Sequence, residues 1–240
     1  TIPATTALST LSLPDALPIY PGGDLADCGI HQLDLTIMVL GDPATPKSVS
    51  ASGGRLQHKG DDGEVPDVEI LHYDYPEFVM TFEHSHFANA MSKINGKIRS
   101  GDQFPYWPQC ATRIEFYGTK DNMMLGRHGG GWQVFTSGGR VVEQQYGRHP
   151  DPEHQQNFVD CIRNRKRPNA DVGLAHGSTT VMHMGNIAHR VGNQKLQFDA
   201  GAERFIGNDS ANLLSKRHNV NPYSVRSEEH TSELQSRAYL

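Results

Sequence analysis

The stretch that most constrains this chain is residues 21–41, PGGDLADCGIHQLDLTIMVLG. Its apolar residues recur three and four positions apart, which predicts a helix that begins with Asp24 as its N-cap and ends at Gly41. On such a helix Asp27, His31 and Asp34 are spaced i, i+4 and i+7, so they share one face. We call these three residues the polar stripe.

The apolar residues of this helix fall on two further faces. One face collects Ala26, Ile30, Leu33, Ile37 and Leu40, and the other Cys28, Leu35 and Val39. A helix that is apolar on two sides is largely buried, so we expect the polar stripe to meet a partner or a ligand.

The polar stripe suits acid–base chemistry, because a histidine beside a carboxylate titrates near neutrality. A helix-internal hydrogen bond that fills a buried polar niche is the alternative. A metal site is a further option, but no second constellation supports it, so none is predicted. His84 and His86 share a face of a strand, where a polar sheet surface is the favoured interpretation.

Two other features have chemical interpretations. Tyr106 and Trp107 could stack on a sugar ring, and core or interface packing explains them equally well. The glycine clusters lack G-x-G-x-x-G spacing between a strand and a helix, so they are interpreted as turns. The sequence also has no G-x-S-x-G elbow.

Composition excludes several classes of partner. The 240 residues carry a formal net charge of -5, and no basic block indicates nucleic acid or an anionic membrane. The sequence has no run of eighteen apolar residues, so no membrane span is predicted. The three cysteines cannot all pair and lack metal-ligand spacing, so reduced thiols are expected.

Both ends of the chain look foreign. Residues 1–20 and 226–240 contain strings that resemble translated sequencing-adapter sequence, and we expect them to be non-native. Residues 21–225 then form one domain whose true beginning is missing.

The order of elements predicts an α+β fold. After the first helix come strands near 67–75 and 77–84, then hairpins at 112–125 and 132–144. Helices follow from residue 151, with Phe158, Cys161 and Ile162 as buried face, and from about 172 to 190. The pattern predicts a mostly antiparallel sheet with helices on one face. A homo-oligomer across the other face is expected.

Four segments resemble the Gfo/Idh/MocA family of oxidoreductases. The first is residues 21–41, which is similar to that family's GG-x-L-x-D-x-x-x-H-x-x-D pattern. The others begin at RIEFYGTKDNMM, NFVDCIRNRKRP and FDAGAERFIG and resemble the bacterial-type C-terminal domain of the family.

This resemblance implies hydride transfer between NAD or NADP and a sugar, cyclitol or related carbinol. His31 would be the general base and Asp27 would orient it, while Asp34 matches a less decisive acidic position. We assign Asp34, Tyr106 and Trp107 to substrate binding and no residue to cofactor binding.

The chain departs from the family pattern because the nucleotide-binding half and its Glu-Lys-Pro lysine are absent from the sequence. We therefore expect a fragment that binds no cofactor alone and is inactive. A glycoside-cleaving enzyme that uses NAD transiently and a non-catalytic binding or oligomerisation module are the alternatives. The compartment stays open between cytoplasm and periplasm.

Overall fold

The described residues fold as two antiparallel sheets with helices. Our computed structural model describes residues 22–57, 59–60, 65–127 and 129–215. The expected non-native segments, 1–20 and 226–240, lie outside the described residues. The first helical segment is a π-helical turn, Leu25–Gly29, continued by α1, Ile30–Val39.

The remaining elements follow in chain order. Three strands come first: β1 (Ser48–Gly54), β2 (Val68–Asp74) and β3 (Val79–Ser85). An irregular excursion then holds only the short helix α2 (Gly96–Arg99) and a 3-10 turn (Trp107–Gln109). Four strands make the second sheet: β4 (Arg113–Tyr117), β5 (Asn122–Gly126), β6 (Trp132–Phe135) and β7 (Val141–Gln145). The described residues end with α3 (Asp151–Asn164), α4 (Val172–Arg190), β8 (Leu196–Asp199), β9 (Arg204–Ile206) and α5 (Asp209–Leu214).

The larger sheet has five strands in the order β3-β2-β1-β8-β9, and all its pairs are antiparallel. The smaller sheet is a four-stranded meander, β4-β5-β6-β7. The predicted α+β class and both hairpins are confirmed. The sequence did not predict β9, because Arg204–Ile206 is too short to show alternation.

Alternation along β2 and β3 places one face of the larger sheet in the core. Leu71 and Tyr73 are fully buried, whereas Ile70 between them is exposed. Helices α1 and α4 cover this face, since their buried residues Leu33, Ile37, Val181, Met184, Ile187 and Ala188 join the same core cluster. Helices on one face of the sheet are therefore confirmed.

The helices lie close to the sheet because glycines face it. A Cβ on Gly185 of α4 would lie 2.5 Å from both Leu71 Cδ1 and Tyr73 Oη. A Cβ on Gly29, in the π-helical turn, would lie 2.8 Å from Phe82 Cζ. The contact at Gly185 limits the distance from α4 to β2, and the contact at Gly29 limits the distance from the first helical segment to β3.

Two predictions about buried faces are wrong. None of the residues of α3 is buried, and Phe158 and Ile162 are more than half exposed, because no described element covers this apolar face. On α1 only the face of Leu33 and Ile37 is buried, and Leu40 at the end of that face is exposed. The third face is open as well: Val39 is exposed and Cys28 and Leu35 are half-buried. Among the described residues no helix is long and apolar enough to cross a membrane.

Candidate functional site

The polar stripe lies where the π-helical turn meets α1. Asp27 belongs to the turn and His31 and Asp34 to the helix. The stripe is exposed rather than enclosed, since all three residues present their side chains at the surface. π-Helical turns inside helices occur frequently at functional sites because they locally re-aim side chains.

The electrostatic surroundings of His31 favour a neutral imidazole. Partial burial and the positive charge of Arg127 lower the pKa of His31 from its usual 6.5, while Asp27 and Asp34 oppose that shift. A neutral imidazole can act as a general base towards a substrate hydroxyl. Two carboxylates beside it stabilise the imidazolium that would result.

Two cations that the sequence analysis did not single out surround the stripe. Arg127 directly follows β5, and Lys93 lies in the irregular excursion after β3. The Nζ of Lys93 is 3.8 Å from the Sγ of Cys28, which in turn is 3.7 Å from Asp27 Oδ2. Neither cation carries a sequence motif, so only the fold brings them to the helix.

Asp34 also has a structural contact. Its Oδ1 accepts a hydrogen bond of 2.5 Å from the hydroxyl of Ser178, which is buried in α4. Since Ser178 is 144 positions away, the bond ties α1 to α4. One oxygen of Asp34 is thus engaged in helix packing.

Asp24 does not cap the helix, contrary to the sequence prediction. Its backbone is already helical, and no side-chain capping bond is formed. Instead its Oδ2 lies 2.7 Å from His86 Nε2 and 3.2 Å from His84 Nε2. Burial lowers the pKa of His84, and the charge of Asp24 opposes that effect. We call Asp24, His84 and His86 the histidine–aspartate cluster.

A buried carboxylate stands next to this cluster. Glu69 is 2% exposed and pairs with His84 in the β2–β3 ladder, so both point to the same face. Its Oε1 has no hydrogen-bond partner. Burial, together with the charge of Asp24, raises the pKa of Glu69 to about 7.

The aromatic pair divides between surface and core. Tyr106 is 69% exposed, and Trp107 is 7% exposed within a small core with Ile94 and Cys110. The indole N–H of Trp107 donates to Gln133 Oε1 at 2.7 Å. Core packing, one of the two interpretations left open, therefore describes Trp107, whereas Tyr106 is accessible to a ligand.

Two glycines of the described clusters, Gly53 and Gly131, lie against neighbouring strands. A Cβ on Gly131 would lie 1.9 Å from Gln145 O, and one on Gly53 would lie 2.1 Å from Val68 O. Their lack of a side chain is explained by these contacts with neighbouring strands. Neither Gly53 nor Gly131 begins a helix, so neither forms the helix N-terminus at which backbone N–H groups bind a nucleotide phosphate.

Two family profiles match the chain. Residues 114–225 match the profile described as "Oxidoreductase family, C-terminal alpha/beta domain", and residues 16–123 match the "GFO/IDH/MocA C-terminal domain". No curated protein sequence matches the chain.

Solved structures share the fold at low sequence identity. A Klebsiella pneumoniae protein described as an oxidoreductase has a TM-score of 0.51 at 13% identity, covering 80% of this chain and 52% of its own. A Bacillus subtilis protein that is also described as an oxidoreductase has a TM-score of 0.51 at 13% identity, covering 74% of this chain and 53% of its own. An aldose-aldose oxidoreductase from Caulobacter crescentus, complexed with glycerol, has a TM-score of 0.53 at 15% identity, covering 74% of this chain and 48% of its own. The chain thus spans about half the length of these structures.

Proposed function

Because the chain belongs to the Gfo/Idh/MocA oxidoreductase family, we propose that it forms the substrate side of an NAD(P)-dependent oxidoreductase. The substrate is a sugar, cyclitol or related carbinol. His31 accepts the proton of the hydroxyl that is oxidised, and Asp27 holds the imidazole.

The observation that carries this proposal is the setting of His31. An exposed histidine with a lowered pKa stands between two carboxylates and near Arg127, on a face that a small molecule can reach. Loss of the hydroxyl proton to a neutral imidazole leaves an alkoxide, which a nearby guanidinium stabilises. A polar niche that served packing alone would be buried, whereas the side chains of the polar stripe are exposed.

The polar, charged surroundings favour a polyol as substrate. Lys93, Arg127 and Asp27 offer donors and acceptors suited to adjacent hydroxyl groups. Exposed Tyr106 supplies an aromatic surface that could stack on a ring. The Caulobacter crescentus structural relative, an aldose-aldose oxidoreductase, supports the sugar class.

The cofactor would be held by residues outside the described part of this chain. When bound, a nicotinamide supplies the hydride acceptor. His31 and its neighbours contribute proton transfer and substrate positioning.

We also propose that the outer face of the larger sheet pairs with a second copy. Ile70 is 42% and Val79 is 59% exposed on this face. Exposed apolar residues on a sheet face favour association. Light scattering tests this proposal, since Val79→Lys should shift a dimer towards monomer, and a monomeric wild type would contradict it.

An assay with a panel of sugars and cyclitols tests the function. We expect the chain, joined to a nucleotide-binding domain of the family, to reduce NAD or NADP with at least one polyol, observed as nicotinamide absorbance. We expect the chain alone to show no micromolar binding of NADH in a fluorescence titration. Micromolar NADH binding by the chain alone would contradict our proposal that this chain supplies only the substrate side of the enzyme. Failure of every polyol in the joined protein would contradict the substrate class.

A further inference from the structure

The histidine–aspartate cluster places three metal-ligand atoms together. Asp24, His84 and His86 each offer one ligand atom, and these three atoms all lie within 4.8 Å of one another. Tetrahedral zinc with bonds of about 2.0–2.2 Å separates its ligand atoms by roughly 3.3 Å. The two aspartate–histidine distances, 2.7 and 3.2 Å, are close to that separation. We propose that Asp24, His84 and His86 bind a divalent transition-metal ion.

The fold positions these ligands on elements that are fixed by packing. His84 lies on β3, and His86 directly follows that strand on the same face, two residues on. Asp24 begins the first helical segment, which Leu25 and Gly29 anchor against the sheet. The ligands therefore come from two elements whose separation is set by the core, as a preformed site requires.

Glu69 is a second, independent observation that points to a cation. In the metal-free cluster, each imidazole can donate its Nε2 proton to Asp24, which accounts for the short distances. A metal on Nε2 moves the ring proton to Nδ1, and a ligating histidine usually donates that proton to a carboxylate or carbonyl. Glu69, directly across the ladder from His84, has a buried Oε1 that lacks a donor. Its place across the ladder makes Glu69 the acceptor that we propose for a metal-bound His84.

The donor set indicates the class of metal. Two imidazoles and one carboxylate suit Zn(II), Fe(II), Co(II) or Ni(II) rather than Mg(II) or Ca(II). Asp24 is 35% and His86 is 40% exposed, so the remaining coordination positions are open to water or a ligand oxygen.

The site is separate from the polar stripe. Asp24 and His31 are seven residues apart, which is about 10 Å along a helix. The ion would lie beside the proposed base, His31. It would not bind the substrate hydroxyl from which that base takes a proton. Metal binding by the cluster therefore does not depend on the proposed oxidoreductase function.

Titration of the tag-free chain with Zn(II) against a chromophoric chelator tests the proposal. We expect one high-affinity Zn(II) per chain and the visible absorption of tetrahedral Co(II) when cobalt replaces zinc. His86→Ala, at an exposed position, should lower the affinity roughly 100-fold or more, while Glu69→Gln should lower it roughly 10- to 100-fold.

His72→Ala is the matched control, because His72 is an exposed histidine on the opposite face of the same sheet. This variant should bind Zn(II) with an affinity within about twofold of the wild-type value. Far-UV circular dichroism confirms that each variant is folded, and imidazole NMR signals of His84 and His86 should shift on loading. Absence of stoichiometric binding, or equal loss in His72→Ala and His86→Ala, would overturn the proposal.

Discussion

The polar stripe and the histidine–aspartate cluster begin on the same helical segment but are built in different ways. Every member of the stripe lies within eight consecutive residues, so helical periodicity alone brings Asp27, His31 and Asp34 together. The cluster joins residues 62 positions apart and exists only because the segment packs on β3. A local pattern predicts the first kind of site, and only tertiary structure reveals the second.

Zinc affinity should separate the two groups most strongly. His84→Ala should lower it by roughly 100-fold or more, because a metal ligand is lost, whereas His31→Ala should leave it within twofold. Chelator competition measures both variants. Equal losses of zinc affinity in the two variants would show that the polar stripe and the histidine–aspartate cluster form one site, contrary to our account.

Gly29 should be needed by the cluster and not by the stripe. A Cβ there would lie 2.8 Å from Phe82 Cζ, so Gly29→Ala should push the helical segment from β3 and destabilise the fold by about 1–3 kcal/mol. Urea denaturation measures the loss, and zinc affinity should fall with it.

Gly177→Ala is the control for that change, because a Cβ at Gly177 meets no atom within 4 Å. It should stabilise α4 by about 0.5–1 kcal/mol, since alanine is the better helix former. If both variants are stabilised, the close contact at Gly29 is wrong.

The bond from Ser178 to Asp34 should contribute a smaller amount. Ser178→Ala removes a 2.5 Å hydrogen bond to a carboxylate at the surface, for which we expect a loss of about 1 kcal/mol. Thermal denaturation compares it with Thr179→Ala, whose hydroxyl bonds only within its own helix, to Ala175 O. Equal effects from the two changes would remove the bond between helices from our account.

The smallest effects concern the pKa of His31. Arg127→Gln should raise this pKa because a repelling positive charge is lost, and Asp27→Asn should lower it because an attracting negative charge is lost. NMR titration of the imidazole measures both. If the pKa shifted in the opposite direction for either variant, the charge of that residue would not act on His31 as we describe.

The same pKa has a consequence for stability. A folded-state value below the usual 6.5 means that the unfolded chain binds the proton first as the pH falls. His31 therefore contributes a loss of stability on acidification below pH 6.5, and Arg127→Gln should reduce that loss.

The sequence predicted much of the fold and part of the site. Periodicity and turn residues located both hairpins, and α4 extends from Val172 to Arg190 as expected. The same reasoning predicted a regular helix through Asp27, where the structure has a π-helical turn. Hydrogen-bond shifts of that kind depend on packing, here of Leu25 and Gly29 against the sheet, and leave no periodic signal.

Contacts between distant elements explain the other differences. The amphipathic pattern of α3 correctly marks an apolar face at Phe158 and Ile162, but periodicity cannot say whether a partner covers it. Likewise, the sequence favoured capping for Asp24, a frequent use of aspartate before a helix. Two histidines on a neighbouring strand hold its carboxylate instead.

Turnover of a His31→Ala variant tests the central claim most directly. In the chain joined to a nucleotide-binding domain, with a polyol that the wild type oxidises, we expect kcat to fall roughly 10²- to 10⁴-fold while cofactor affinity stays unchanged. His72→Ala, on the opposite face of the sheet, should keep wild-type turnover. Unchanged turnover in His31→Ala would remove His31 from the reaction and contradict our account.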